Sequence, residues 1–313
     1  MNKGYICIFV TAFLFGTMET VLKLYSGLFH PIQITVLRFL VGGLVLLPMA
    51  TKALKQRGVT LTKDDYKFMA FSGFLGVVVS MIFYQMAVVY GKASVSGVIF
   101  SCNSVFVVLF AYFLLGEAIT KYDVTSLFFS FAGIVCIADP ANIADNALSV
   151  FLILMAAVFF ALYGIAGRKK SQRFGGIAIT CYSFLFGSLE MFVLILLTKL
   201  PFIRSAFLSI GLKVFTDIPI LEGLTMAHVG PFAYIAVAVT GVGYASYFLA
   251  MEYTNPATAS LAFYIKPILT SAFAWMVLGE PITLNMIIGI CLIVCGSCIS
   301  MYGKKKTAAV AAK

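Results

Sequence analysis

The chain has 313 residues, of which 62% are apolar and only 11% charged, with a net charge of +10. A soluble globular chain carries about 25% charged residues, so a mean hydropathy of +1.04 excludes a soluble enzyme or binding domain and marks an integral membrane protein. The basic excess would suit nucleic-acid binding, but its distribution along the chain argues against that reading.

A membrane-crossing helix needs about 20 mostly apolar residues. Such runs cover residues 4–26, 31–51, 67–89, 94–116, 121–140, 146–167, 176–198, 230–252, 256–278 and 283–302, ten in all. The first contains Glu19 and Lys23 and has no A-x-A-like site after it, so a retained span is expected rather than a cleaved signal peptide. The second opens HPIQITVLRFLVGG, with Arg38 seven residues after Pro31. The third holds Tyr84. The fourth holds Asn103 and ends in Leu-Gly-Glu at 115–117. The connection after the fifth, DPANIADN, is acidic. The seventh carries Glu190. The connection at 199–229 is the only long loop, and its stretch FIRSAFLSIGLKVF alternates at roughly helical spacing, which predicts an amphipathic helix at the membrane surface. The eighth holds Tyr247. The ninth holds Tyr264, Lys266 and Pro267 and again ends in Leu-Gly-Glu, at 278–280. All seven cysteines fall inside spans without metal-ligand spacing to a histidine, and are expected to be small buried thiols.

With the N-terminus in the cytoplasm, 15 of the 22 basic residues fall on the inner side and 4 on the outer, while Lys23, Arg38 and Lys266 lie within spans. This positive-inside bias predicts both termini in the cytoplasm of a prokaryote-type plasma membrane and accounts for the basic charge without nucleic acid.

Residues 90–120 and 253–283 align without a gap at an offset of 163 and share Tyr90/Tyr253, Phe100/Phe263, Phe110/Phe273, Ala111/Ala274, Leu115/Leu278, Gly116/Gly279, Glu117/Glu280, Ile119/Ile282 and Thr120/Thr283. An odd number of spans separates the copies, so they cross in opposite directions, as in the inverted repeats of secondary transporters. The expected organisation is a five-helix repeat over 1–140, a second over 146–303, and a basic cytoplasmic tail over 304–313.

In its span count, in the twice-repeated Leu-Gly-Glu followed two residues on by Ile-Thr, and in the Pro31–Arg38 pattern, the chain resembles the EamA-type branch of the drug/metabolite transporter superfamily over essentially its whole length. The resemblance implies an all-α fold of ten transmembrane helices in two inverted five-helix halves around a central cavity. It also implies secondary transport of small metabolites, a class that includes amino acids, sugars, nucleotide derivatives and quaternary amines. One departure is Pro267, which has no partner in the fourth span, where Ser104 stands. A kink is therefore expected in the ninth span and not in the fourth.

Ionisable groups at membrane depth are costly and default to functional candidates. Lys266 lies about ten residues from either end of its span. It is the candidate for a substrate carboxylate, with an ion pair to Glu19 or Glu190 as the structural alternative. Asn103 is its repeat equivalent, and Tyr264 lies within one turn. Tyr84 and Tyr247 match at the same offset and are candidate lining residues, as is Arg38. Glu19 and Arg38 both sit seven residues in from the same membrane face, roughly 10 Å deep at 1.5 Å per residue. They are expected to pair across adjacent helices, fixing those helices or acting as an outer gate. Glu190 is a gating or proton-linked candidate, or a structural partner of a basic residue. Glu117 and Glu280 are expected to anchor turns, and Thr120 and Thr283 to cap helices.

The chain carries no phosphate-binding loop. His30 and His228 both lie near outer span ends, so no metal site or cofactor is expected, nor is an enzyme. The reading is a secondary transporter or exporter of a small polar organic metabolite, an amino acid or related carboxylated compound. Its expected partners are that substrate and the bilayer, as monomer or homodimer, with no nucleic acid. A carrier of organic cations through an aromatic-lined cavity is the nearest alternative. A membrane-embedded enzyme or a scaffold is the alternative of a different class.

Overall fold

The computed structural model describes residues 3–116, 118–138, 143–209, 211–254, 256–259 and 261–311. It is helical throughout, with no strand among the described residues. Ten long segments organise it: α1 (Lys3–Leu24), α2 (Pro31–Gln56), α3 (Lys63–Tyr90), α4 (Ala93–Leu115), α5 (Lys121–Ala138), α6 (Ile143–Phe174), α7 (Gly176–Thr198), α8 (His228–Tyr253), α9 (Leu261–Leu278) and α10 (Leu284–Ala311). Nine of them are long and apolar enough to cross a membrane, and α5, with Lys121 and Asp123 in its first turn, lies along α10.

The helix starts follow local chemistry. Pro31 stands in the first turn of α2, where its missing N–H costs nothing. Thr62 and Asp65 cap α3 reciprocally, and Thr120 and Asp123 make the same hydrogen bonds at the start of α5. Thr283 accepts from the Met286 N–H at 3.2 Å, so both expected threonine caps are present. Gly116 and Gly279 end α4 and α9 at φ +68° and +67°, a left-handed conformation that glycine adopts without a Cβ clash.

The packing has the pairings of an inverted repeat. Helices α2 and α7 pack together, as do α4 with α9 and α5 with α10, each helix against its own counterpart. The remaining main contacts come in exchanged pairs: α1 on α9 mirrors α6 on α4, α1 on α8 mirrors α6 on α3, and α2 on α8 mirrors α7 on α3. A widened π turn interrupts α3 at Phe74–Val79 and α8 at Tyr234–Val242, and the offset of 163 carries the first into the second.

The expectation of an uninterrupted fourth span is corrected. Helix α9 runs unbroken through Pro267, whereas α4 is interrupted at Cys102, with φ −76° and ψ 3°. The missing donor of one proline is tolerated where neighbouring helices hold the segment. At Cys102 the N–H reaches the Ile99 carbonyl at 3.0 Å, a tighter turn that ends one helical piece before Asn103 begins the next. The cysteine expectation also needs correction. Cys102 and Cys181 are buried, but Cys291, Cys295 and Cys298 are exposed. Helix α10 packs one face on α5, and these three positions, spaced four and three apart, lie on its other face.

The long loop contains the expected short helix, Pro201–Ser209, none of whose residues is buried. The chain beyond it is tied to the start of α2: the Gln33 side-chain amide donates to the carbonyls of Ile220 at 3.2 Å and Glu222 at 2.8 Å. His30 completes that corner. Its Nδ1 accepts from the Ile32 N–H at 3.3 Å, while its own backbone N–H donates to the Gln33 side chain at 3.3 Å. Burial lowers the imidazole pKa from its ordinary 6.5, opposed by a hydrogen bond to the Val214 backbone. The fold therefore favours neutral His30. Its contribution is fully present above about pH 6.5 and declines as pH falls below that, because the unfolded chain protonates first. Melting of detergent-solubilised protein should show a loss of stability on acidification below about pH 6.5, and His30→Asn, which keeps a cap without a titrating ring, should reduce that loss.

Candidate functional site

Four helices bring one charged centre together in the interior. The Lys266 Nζ of α9 lies 2.7 Å from the Glu19 Oε1 of α1, with the two side chains 3% and 0% exposed. The Tyr84 hydroxyl of α3 donates to the same oxygen at 2.6 Å. The ammonium also stands 5.3 Å from the centroid of the Phe100 ring of α4. Phe100 is held edge-on by Tyr84 at 4.8 Å. Gly97 makes the close approach of α4 possible. A Cβ there would lie 2.4 Å from Thr270 Cγ2 and 2.9 Å from the Glu19 carboxyl carbon.

The expected Glu19–Arg38 pair is absent: among the described residues no ion pair joins them, and Glu19 instead engages Lys266. Both are reached from similar depth, but α1 packs chiefly on α9 and α8, which turns the carboxylate toward the lysine. Arg38 is 1% exposed all the same. Its guanidinium lies 4.6 Å from the Phe39 centroid, and its Nη1 and Nη2 reach only the sulfurs of Met18 at 3.5 Å and Met81 at 3.6 Å. Thioether sulfur is a weak acceptor, and Nε has no partner. The second Glu19 oxygen, Oε2, is buried without a partner too, as are the hydroxyls of Thr20, Ser96 and Thr270.

The other candidates are placed as follows. Tyr247 meets Phe263 edge-on at 5.1 Å, repeating in the second half the Tyr84–Phe100 contact of the first. Tyr264 lies close enough to Tyr247 for the two hydroxyls to interact electrostatically. Asn103 is partly buried at the start of the second piece of α4, and no hydrogen bond joins it to Lys266. Glu190, on α7, is not joined to Lys266 either, and one of its oxygens is buried without a partner.

Around this centre the two ends of the bundle differ. On the side of the chain termini a cleft of about 700 Å³ opens between α2 of the first half and the α6–α7 turn and α8 of the second. Lys52, Arg57, Glu252, Phe248 and Tyr253 are among the residues that line it. Tilted and edge-to-face ring contacts lead from that wall into the interior, from Phe248 to Tyr247 at 5.7 Å, to Phe263 at 5.1 Å, and to Phe15 at 5.9 Å. They continue to Tyr244 and Phe184, at 5.0 Å each, and to Phe39 at 4.6 Å, beside Arg38. At the opposite end Glu280 closes the halves together. Its carboxylate accepts from the N–H groups of Ala93 at 2.8 Å and Ser94 at 3.0 Å and from the Ser94 hydroxyl. Glu280 therefore anchors the first turn of α4, across the two halves, while Gly279 makes its own turn. Its counterpart Glu117 lies outside the described residues.

Sequence reasoning missed Phe100, Gly97 and the reach of Glu280. Phe100 had a usable signal, because Phe100/Phe263 and Tyr84/Tyr247 recur at one offset and form the same contact in each half.

Comparison with known proteins agrees with this architecture. The EamA-like transporter family model matches residues 2–138 and 147–302. The chain belongs to the EamA-like transporter family. A transporter of uncharacterised specificity from Clostridium kluyveri is 35% identical over 314 residues, spanning 98% of this chain and 95% of that one. Another from Archaeoglobus fulgidus is 24% identical over 296 residues, spanning 94% and 97%. A protein from Streptantibioticus cattleyicolor named as a probable terminal-alkyne amino-acid exporter is 22% identical over 216 residues, covering 69% of this chain and 66% of that one. A crystal structure with 16% identity superposes with a TM-score of 0.63 over 98% of this chain and 99% of that one, a likeness of fold alone.

The Tyr84 hydroxyl is the most separable member of the centre. Tyr84→Phe keeps the ring against Phe100 and removes one hydrogen bond to a carboxylate, worth about 1.5–3 kcal/mol. Thermal melting in detergent should register that loss. An unchanged melting point would mean that the carboxylate finds an equivalent donor.

Proposed function

We propose that this transporter moves an amino acid or related carboxylated metabolite out of the cell by alternating access around the Lys266 centre. The observation that carries the proposal is a charge count. Among the described residues two cations, Lys266 and Arg38, are buried in the interior, and one fully buried span carboxylate, Glu19, stands with them. A buried cation without an anion is expensive, so the centre attracts one more carboxylate than the chain supplies there. The amino-acid exporter named among the relatives supports the same substrate class at a distance. The rings packed between the cleft and the centre fit a substrate with an apolar part.

On this reading Lys266 receives the substrate carboxylate, and Tyr84, Tyr247 and Tyr264 line the route. Asn103 and Glu190 make no hydrogen bond or ion pair with Lys266 and take no part in this reading. The basic residues gathered on the side of the termini support placing that side in the cytoplasm of a plasma membrane, so that the cleft takes substrate from within. Transport needs no second chain on this scheme, whether the protein is a monomer or a homodimer. A second reading, transport of organic cations, draws on the neutralisation of Lys266 by Glu19 and the density of rings.

Substrate chemistry separates the two. In proteoliposomes, radiolabelled L-amino acids should be carried and their carboxamides carried at least tenfold more slowly, the equivalent of one charged hydrogen bond. Lys266→Gln should erase the preference for the acid. Equal transport of acid and carboxamide would favour the cation reading.

A further inference from the structure

Lys266 cannot serve two carboxylates in the described arrangement. One side of its ammonium is taken by Glu19 at 2.7 Å and another by the Phe100 ring at 5.3 Å, and the side chain is 3% exposed. A substrate carboxylate that replaces Glu19 at the amine keeps Lys266 singly paired, whereas one added beside Glu19 would put two like charges against one ammonium. The geometry points to Glu19 as an internal stand-in for the substrate's carboxylate, which neutralises Lys266 when the carrier is empty and yields it on loading. This rests on the carboxylate reading of the site given above.

The place to which Glu19 withdraws is also on hand. Arg38 lies against Met18, the residue before Glu19 on α1, at 3.5 Å. Its Nε has no partner and its other nitrogens meet only sulfur. The Glu19 Oε2 is likewise bare. On this proposal the carboxylate passes from lysine to arginine, the one buried cation nearby that no carboxylate holds among the described residues. The loaded centre then holds two separate neutral pairs, substrate with Lys266 and Glu19 with Arg38. The empty centre holds one pair and one cation.

A functional consequence follows from counting charge through the cycle. The empty carrier crosses its occluded state with a net charge of one at the centre, and the loaded carrier crosses with none beyond what the rest of the substrate brings. Both steps are open, so the protein performs net transport and does not require a substrate on the return. Without the Glu19 charge the loaded centre carries one net positive charge, as the empty wild type does. The empty centre would carry two cations and no anion. Two unpaired cations at membrane depth oppose occlusion, and the empty carrier would no longer return. Glu19→Gln should therefore convert a net transporter into an exchanger.

The test uses full-length protein in proteoliposomes loaded with a radiolabelled L-amino acid mixture. Efflux is measured into buffer alone and into buffer containing unlabelled amino acids. Wild type should show efflux into buffer alone. In Glu19→Gln the ratio of net efflux to exchange should fall at least tenfold, whatever the absolute rates. Adding Arg38→Gln to Glu19→Gln removes one of the two stranded cations and should raise the ratio again. Glu19→Asp, which keeps the charge, should preserve a ratio near that of wild type and serves if the glutamine variant fails to fold. An unchanged ratio in Glu19→Gln, or in its absence a tenfold fall in Glu19→Asp, would overturn the stand-in role. So would a wild type that only exchanges. Failure of wild type to carry any amino acid would instead overturn the carboxylate reading on which this rests.

Discussion

A carboxylate and an ammonium, both out of contact with solvent, join the first helix to the ninth. In a low-dielectric interior such a pair is held by mutual attraction against a desolvation penalty of several kcal/mol per ion. Removing one partner strands the other. Helices α1 and α9 are thereby committed to each other at one level, and Gly97 allows α4 to come close enough for Phe100 to cover the ammonium. The Tyr84 hydroxyl brings α3 into the same arrangement. The pair also crosses the boundary between the two repeats, so anything that changes its charge changes the relation of the halves.

The repeats are alike in scaffold and unlike in chemistry. Glycine turns at 116 and 279, π turns in α3 and α8, and the Tyr84–Phe100 and Tyr247–Phe263 contacts recur in both halves. The charges do not recur. Asn103 stands opposite Lys266 in the repeat, and Glu19 and Arg38 both belong to the first half. A duplicated frame gives two end states of similar energy, which alternating access requires. The charge cluster is thus the part of the interior that the duplication does not repeat.

Much of the frame was legible because lipid imposes strong rules on sequence. Length and hydropathy located the spans, and Thr120 and Thr283 announced helix starts that the backbone makes. The repeated Leu-Gly-Glu indicated the inverted halves. Pairing at the centre was legible only as alternatives. Depth allowed Glu19 to meet Arg38, and Lys266 had Glu19 or Glu190 as alternative partners; the packing of α1 on α9 selects the Glu19–Lys266 pair. Proline was a poor guide to where a helix breaks into two pieces, since the break in α4 falls at Cys102 while α9 stays helical through Pro267. Exposure of Cys291, Cys295 and Cys298 depends on which face α10 turns to α5, and a segment apolar on all sides carries little record of that.

The two ends of the bundle complete the physical picture. On the side of the termini the halves part around a cleft, whereas at the other end Glu280 of the second half holds the first turn of α4 in the first. A carboxylate at a helix N-terminus satisfies backbone donors that have no partner within the helix and lies favourably in the helix dipole. The α4 segment it holds is the one that carries Gly97 and Phe100 to the charged centre, and α4 is jointed at Cys102, just beyond them. The joint in α4 and the charge pair its ring covers are thus mechanically linked, because the turn that Glu280 holds is continuous with the residues that meet Lys266 and Glu19.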